Sequence, residues 1–346
     1  MQFIKPDINI DFLGKKVIAF GLSGAMILIS IASLVFHGGP KYGIDFAGGT
    51  IIQVKFAGPA SISGVKEGMR TLSIEGTTVQ SFGEKADYEY LIRIDKAVTA
   101  SEGFSEDIKK ALTTSTGSQA EIRRVEMVGP QVGKDLREKA LFAIFFSLLF
   151  IAIYISGRFE FKWILSGVMA GVLIGAVYLL TLFTVSIPIL IVFAMAVTLA
   201  LFWVLNLKYA LGAIVALIHD VTITVGVFSL FDKEFSLPII AAILTIIGYS
   251  LNDTIIVFDR IRENLKKHHK KPLELVINRS VNETLSRTIL TSLTTLIAVL
   301  ALLLFGGGII HDFAFAMIVG IIVGTYSSVY IASPFLLTFQ ARPKKR

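Results

Sequence analysis

Eight stretches of this chain, at 17–36, 139–157, 163–184, 189–207, 209–231, 237–258, 288–305 and 313–339, are mostly apolar. Each is long enough to cross a bilayer, which takes about 17–25 residues of helix. No other feature restricts the fold as much. A backbone in hydrocarbon has no water to bond, so such a run must satisfy its own N–H and C=O groups, as a helix does. The composition agrees: 54% of the residues are hydrophobic and only 17% charged, whereas a soluble domain carries nearer a quarter charged residues. The fold class expected is a membrane protein, mainly an α-helical transmembrane bundle.

Basic residues set its orientation, because short cytoplasmic loops are enriched in Lys and Arg. With the N-terminus inside, the inner segments carry Lys5, Lys15 and Lys16, then Arg158 and Lys162, Lys208, Arg260 to Arg287, and Arg342 to Arg346. The short outer loops hold only Lys233. Both termini are predicted cytoplasmic. The first run is too long for a signal-peptide core and no clear small-x-small cleavage site follows it, so a retained anchor is expected. The net charge of +7 is therefore read as an orientation signal, and no nucleic-acid partner is expected. The most basic stretch, from Arg262 to Ser280, reads as an inner loop lying against anionic headgroups or meeting a cytosolic partner. His268 and His269 lack further ligands at metal-site spacing. No cysteine is present, which excludes disulfides and thiol chemistry.

The polar segment 37–138 reads as a folded external, periplasmic domain. IIQVKF (from Ile51), TTVQSF (from Thr77), YEYLIRID (from Tyr88) and AEIRRVEMV (from Ala120) read as strands, two of them with the alternation of half-buried ones. Segments from Ser61 and Phe104 have helical spacing, with Ser63 and Ser105 as expected N-caps. The order strand-helix-strand, strand-helix-strand is the α+β ferredoxin-like pattern. The division expected is 1–36 for the N-terminus and first span, 37–138 external, 139–339 the bundle, and 340–346 a basic cytoplasmic tail.

Two small-residue stripes, Gly167, Gly171, Gly175 and Ala316, Gly320, Gly324, Ser328, Ala332, let helix backbones approach closely in lipid; no chemistry is assigned to them. A third stripe is polar. Thr245, Gly248, Tyr249, Asn252 and Asp253 share one side of the run 237–258, and Arg287, Thr288, Thr291, Thr294 and Thr295 share one side of the next. Asp253 lies about 7 Å inside its cytoplasmic boundary at 1.5 Å per residue, and Arg287 starts the returning helix. A second acid, Asp220, sits near the middle of 209–231 beside His219, although adjacent helical residues point about 100° apart. Charged groups in a bilayer are expensive and mark proton or ion paths by default. Two readings remain: these acids fix helix register by hydrogen bonding, or they titrate as protons cross. In the second, burial favours the neutral acid and a nearby guanidinium the anion, so movement of Arg287 would move a proton.

Five motifs carry a family likeness: YGIDFAGGT (Tyr42 to Thr50), RFEF (Arg158 to Phe161), ALGAIVALIHDV (Ala210 to Val221), IIGYSLNDTIIVFDRIREN (Ile246 to Asn264) and SRTILTSLTTL (Ser286 to Leu296). In this order the chain resembles the SecD/SecF family of bacterial protein-export membrane subunits, within the resistance-nodulation-division superfamily. The resemblance implies an accessory subunit of the Sec translocase in the cytoplasmic (inner) membrane. Its implied partners are SecD, the Sec channel, the translocating unfolded polypeptide and protons, with proton-motive force as the energy source. It implies Asp253 as the essential aspartate and Arg287 as its arginine; the titrating reading of the residues adds Asp220 as a further proton-coupling acid. Asn252, Tyr249, Thr291, Thr295 and His219 would support them, and Gly43, Asp45, Gly48 and Gly49 form the external-domain motif.

The family pattern passes almost at once from an RFEW-like motif to a KYALGAI-like one, whereas here Lys162 to Leu207 intervenes. An extra hairpin at about 162–207 is expected, giving about eight spans where six are usual. A proton-coupled small-molecule efflux transporter of the same superfamily is the alternative function. It fits the buried acids but not the GIDFAGGT and RFEF set. No HExxH, GxSxG or phosphate-binding loop with its lysine occurs, so no enzyme activity and no cofactor are expected.

Overall fold

The computed structural model describes residues 8–74, 76–82, 87–95, 103–181 and 186–339. The tail expected at 340–346, Lys5 and the end of the run 163–184 lie outside the described residues. Along the chain come α1 (Lys16–Phe36), a short α2 (Ile44–Ala47), β1 (Gly49–Phe56), α3 (Ile62–Thr71), β2 (Thr77–Phe82), β3 (Glu89–Ile94), α4 (Phe104–Thr116) and β4 (Ala120–Val128). The bundle follows as α5 (Pro130–Glu160), α6 (Trp163–Thr181), α7 (Ile187–Val204), α8 (Lys208–Leu230), α9 (Leu237–Lys267), α10 (Leu273–Phe305) and α11 (Gly307–Ser327). A π turn at Ser328–Ala332 then leads to a last 3₁₀ turn at Leu336–Phe339.

Among the described residues, all eight apolar runs are mostly helical. Six helical stretches among these residues are long and apolar enough to cross a membrane, and Trp163–Leu179 and Pro188–Val204 are shorter apolar helices. The chain is a multi-pass membrane protein. Three helices outrun their apolar segments. α5 starts at Pro130, because a proline at the first helical position needs no hydrogen-bond partner and presets φ. The inner stretch expected as a loop is mostly helix, with α9 continuing to Lys267 and α10 beginning at Leu273. Charged residues such as Glu263 and Lys267, joined at 2.7 Å, suit a helix once it has left the hydrocarbon.

The domain expected to be external has the ferredoxin-like topology, an antiparallel sheet in the order β2-β3-β1-β4. Ile52, Val54 and Phe56 of β1 and Ile92 and Ile94 of β3 turn inward onto Val65 and Met69 of α3 and Ile108 and Leu112 of α4. The alternate residues face the other way, as period-two strands require. The helix starts differ from expectation. Ser61, in extended conformation, caps α3 by accepting the N–H of Gly64, and Ser63 is already inside the first turn. Gly103, at φ 102°, precedes α4, with Ser105 inside the helix.

In the bundle, α8, α9 and α11 form the centre and α1, α5 and α10 flank them. The α11 stripe packs closely: a Cβ on Gly320 would meet Ile246 at 2.3 Å and one on Gly324 would meet Ser250 at 2.8 Å. The α6 stripe does not, since Gly167, Gly171 and Gly175 face open space. The hairpin α6–α7 builds a separate small core against α5 from Phe145, Leu149, Leu173, Val177 and Leu190.

Candidate functional site

Three polar constellations stand out, two within the bundle and one where the bundle meets the external domain. The first surrounds Asp253. Its side chain is on the buried face of α9, only 1% exposed, and neither carboxylate oxygen has a hydrogen-bond partner among the described residues. Holding an ionised carboxylate there without a donor is costly. Arg287 of α10 is exposed and makes no ion pair among the described residues. Ser292, the other group on this side, is bonded to Thr325 at 2.7 Å. The hydroxyl of Thr288, one residue beyond Arg287, is also buried without a partner.

The supporting stripe is divided. Tyr249 donates to Thr295 at 3.3 Å and so joins α9 to α10. Thr291 and Thr295 donate to carbonyls of their own helix, Arg287 and Thr291. Asn252 is exposed, as are Thr245 and Gly248. On α10, Leu293, Ile297 and Leu300 are also exposed. Polar residues thus sit on an outward face of the single chain, where lipid would penalise them.

The second constellation centres on Asp220, which is fully buried and fully bonded. Its Oδ1 meets His219 Nδ1 at 2.9 Å, and its Oδ2 accepts from Ser250 Oγ at 2.6 Å and Ser327 Oγ at 2.8 Å. Although adjacent helical positions point about 100° apart, the two side chains do share this bond. The acid therefore ties α8 to α9 and α11. His219 Nε2 has no partner among the described residues, and the ring stacks near Tyr326, whose hydroxyl donates to Ala19 of α1 at 2.7 Å.

The third is the Tyr42–Thr50 motif. Gly43 N donates to Phe235 O and Phe235 N to Lys41 O, both at 2.7 Å. Asp45 Oδ2 accepts the N–H of Leu237, the first residue of α9, at 2.8 Å. Gly48 and Gly49 have φ of +78° and +127°, open to glycine at little cost. Space also demands them: a Cβ on Gly48 would lie 2.9 Å from Pro130 Cα, and one on Gly49 would lie 2.6 Å from Ile94 O. The motif expected to belong to the external domain is a junction, touching the α8–α9 connection, the start of α9, the start of α5 and the sheet.

Sequence reasoning missed one acid. Glu160 Oε1 accepts the N–H of Tyr209 at 2.9 Å, and its Oε2 is buried without a partner among the described residues. Around it Arg158 pairs with Asp259 at 2.7 Å, Phe159 stacks on Tyr209, and Arg262 lies over the Phe161 ring at 4.6 Å. The signal was an acid inside RFEF at the end of an apolar run. The described residues hold no cluster of three or more His, Asp or Glu suited to a metal ion.

Comparison with known proteins gives a consistent picture. A family model described as protein export membrane protein SecD/SecF, C-terminal, matches residues 108–187 and 172–342, two segments that overlap within the α6–α7 hairpin. A second, for the SecD/SecF GG motif, matches residues 33–60. The protein translocase subunit SecF of Calditerrivibrio nitroreducens is 40% identical over 349 residues, covering 100% of this chain and 99% of that protein. The protein of the same name from Magnetococcus marinus is 39% identical over 350 residues, covering 100% and 97%. The crystal structure of SecDF, a translocon-associated membrane protein from Thermus thermophilus, aligns with a TM-score of 0.70 at 31% identity. It covers 98% of this chain, which spans 40% of that longer polypeptide. A super-membrane-facing form of SecDF aligns with a TM-score of 0.60.

Proposed function

The chain belongs to the SecD/SecF family of protein-export membrane proteins, and from that membership we propose that it is an accessory subunit of the Sec export translocase. In this reading it sits in the cytoplasmic membrane with both termini inside and its external domain in the periplasm. It acts with a SecD-type partner and uses the proton-motive force to promote movement of unfolded polypeptide. The single observation that carries the proton step is Asp253, a buried carboxyl group with no hydrogen-bond donor, beside a helix whose Arg287 is unpaired among the described residues. Protonation removes the charge that the site does not compensate. Ionisation restores it and draws the guanidinium inward. A proton crossing thereby changes how α9 and α10 sit together.

The uncovered polar face of α9 supports the partner. The exposed Asn252 makes no side-chain hydrogen bond among the described residues and Thr245 bonds only its own helix, at Ala241 O; a second membrane half packed there would cover them. The energy scale is adequate, since one charge moved through 100 mV is worth about 2.3 kcal/mol.

The experiment is export into membrane vesicles whose only copy carries Asp253→Asn, which keeps shape and polarity but cannot titrate. Proton-stimulated export should be lost while insertion and partner assembly stay normal. Undiminished export would remove Asp253 from the mechanism.

A further inference from the structure

The proton-site helix has an unusual start. Ser236 stands in the N-cap position of α9 but makes no side-chain cap. The donor at Leu237 is instead satisfied by Asp45, 192 positions away in sequence and on the far side of the external domain's entry. A carboxylate at this place bonds an orphan N–H and faces the positive end of the helix dipole. The bond is not isolated. The two backbone bonds between Lys41–Gly43 and Phe235 flank it, Lys41 pairs with Asp232 at 2.7 Å, and Arg93 of β3 pairs with Glu234 at 2.7 Å. Through Gly48 and Gly49 the same short segment then enters β1. α9 carries Asp253 sixteen residues further along the same helix, about 24 Å at 1.5 Å per residue.

We infer that Asp45 is a positioning residue: its cap on α9 is the mechanical joint that passes displacement of the Asp253 helix to the external domain. A helix transmits axial movement because its hydrogen bonds run along it, and a carboxylate anchored on its first N–H must follow. The anchor lies within a segment whose glycines leave no room for the backbone to slip past Pro130 and Ile94. Movement of α9 is therefore delivered to β1 and β3. A cap that only stabilised α9 could be supplied by Ser236 itself; the structure draws it from the domain that has to move. The inference rests on the role proposed for Asp253.

The chain has no cysteine, so Lys66→Cys on α3 and Ile310→Cys on α11 give two unique sites for spin labels. The measurement is the distance distribution between them in the full chain reconstituted with its partner subunit, with Asp253 intact and with Asp253→Asn. With the joint intact, Asp253→Asn should shift the distribution. The shift should shrink in Asp45→Ala, which removes the acceptor, and equally in Leu237→Pro, which removes the donor at a position where proline suits a helix, the flanking backbone bonds carrying what remains. It should persist in Asp45→Asn, which keeps an acceptor. If Asp45→Ala does not fold, Leu237→Pro decides. A shift left undiminished by Leu237→Pro overturns the joint, and so does a shift that never occurs with the joint intact. Proton-stimulated export by Asp253→Asn is read separately, so failure of the joint and failure of the Asp253 role are distinguishable.

Discussion

Glu160 accepts a hydrogen bond from the backbone N–H of Tyr209 at 2.9 Å, so the last residue of α5 caps the start of α8 while α6 and α7 loop out between them. Lys162 closes the same gap by donating to Leu205 O at 3.0 Å. The two ends of the hairpin meet on one side of the bundle, and its own core rests on the outer surface of α5.

A chain lacking 163–206, with Lys162 joined to Leu207 through a short glycine linker, should therefore insert and assemble. Membrane fractionation and co-purification with the partner subunit check this. In the intact chain, reporter fusions at Ser186 and Lys208 should appear on opposite sides of the membrane. Both on one side would mean that α6 and α7 do not cross it.

Asp220 is a structural tie as well as a candidate proton carrier. Ser250→Ala should cost about 0.6 kcal/mol and at most about 1.7 kcal/mol, as interhelical side-chain hydrogen bonds in membranes do. Asp220→Leu should cost more, because it strands Ser250, Ser327 and His219 together. Thermal unfolding of the detergent-solubilised protein gives the order. Equal melting of the native chain and Asp220→Leu would show that the network carries no stability.

The two glycine stripes should respond oppositely. Gly320→Ala forces a methyl group to within 2.3 Å of Ile246, and overpacking of this kind costs about 1–3 kcal/mol. Gly171→Ala meets nothing within 4 Å and should be neutral or slightly stabilising through helix propensity. The same melting experiment separates them.

Arg287→Lys keeps the charge but not the planar fork, and Arg287→Ala removes both. If the guanidinium moves inward to meet an ionised Asp253, export should fall steeply in Arg287→Ala and recover in part in Arg287→Lys. Equal export by native and Arg287→Ala proteins would leave Asp253 without that counter-charge.

Local pattern accounts for what the sequence disclosed. TTVQSF and AEIRRVEMV coincide with β2 and β4 residue for residue, and the described part of every apolar run is mostly helix. What pattern did not disclose is set by distant partners. The cap from Asp45 to Leu237 joins positions 192 apart, and no periodicity encodes it. The stripe on α11 and that on α6 read alike because spacing shows that a helix allows close approach, not that a neighbour comes. Likewise, periodicity placed Asn252 and Asp253 on one polar side, yet the 100° between neighbours leaves one exposed and the other buried. The helical ends beyond the lipid were missed because composition there no longer marks them.

The outward-facing asparagine has a consequence for how cells count this protein. A copy inserted alone would show an unsatisfied amide to the bilayer at Asn252, a handle that degradation or self-association can exploit. Surplus molecules would then be short-lived, and their abundance would follow that of whatever chain shields the amide.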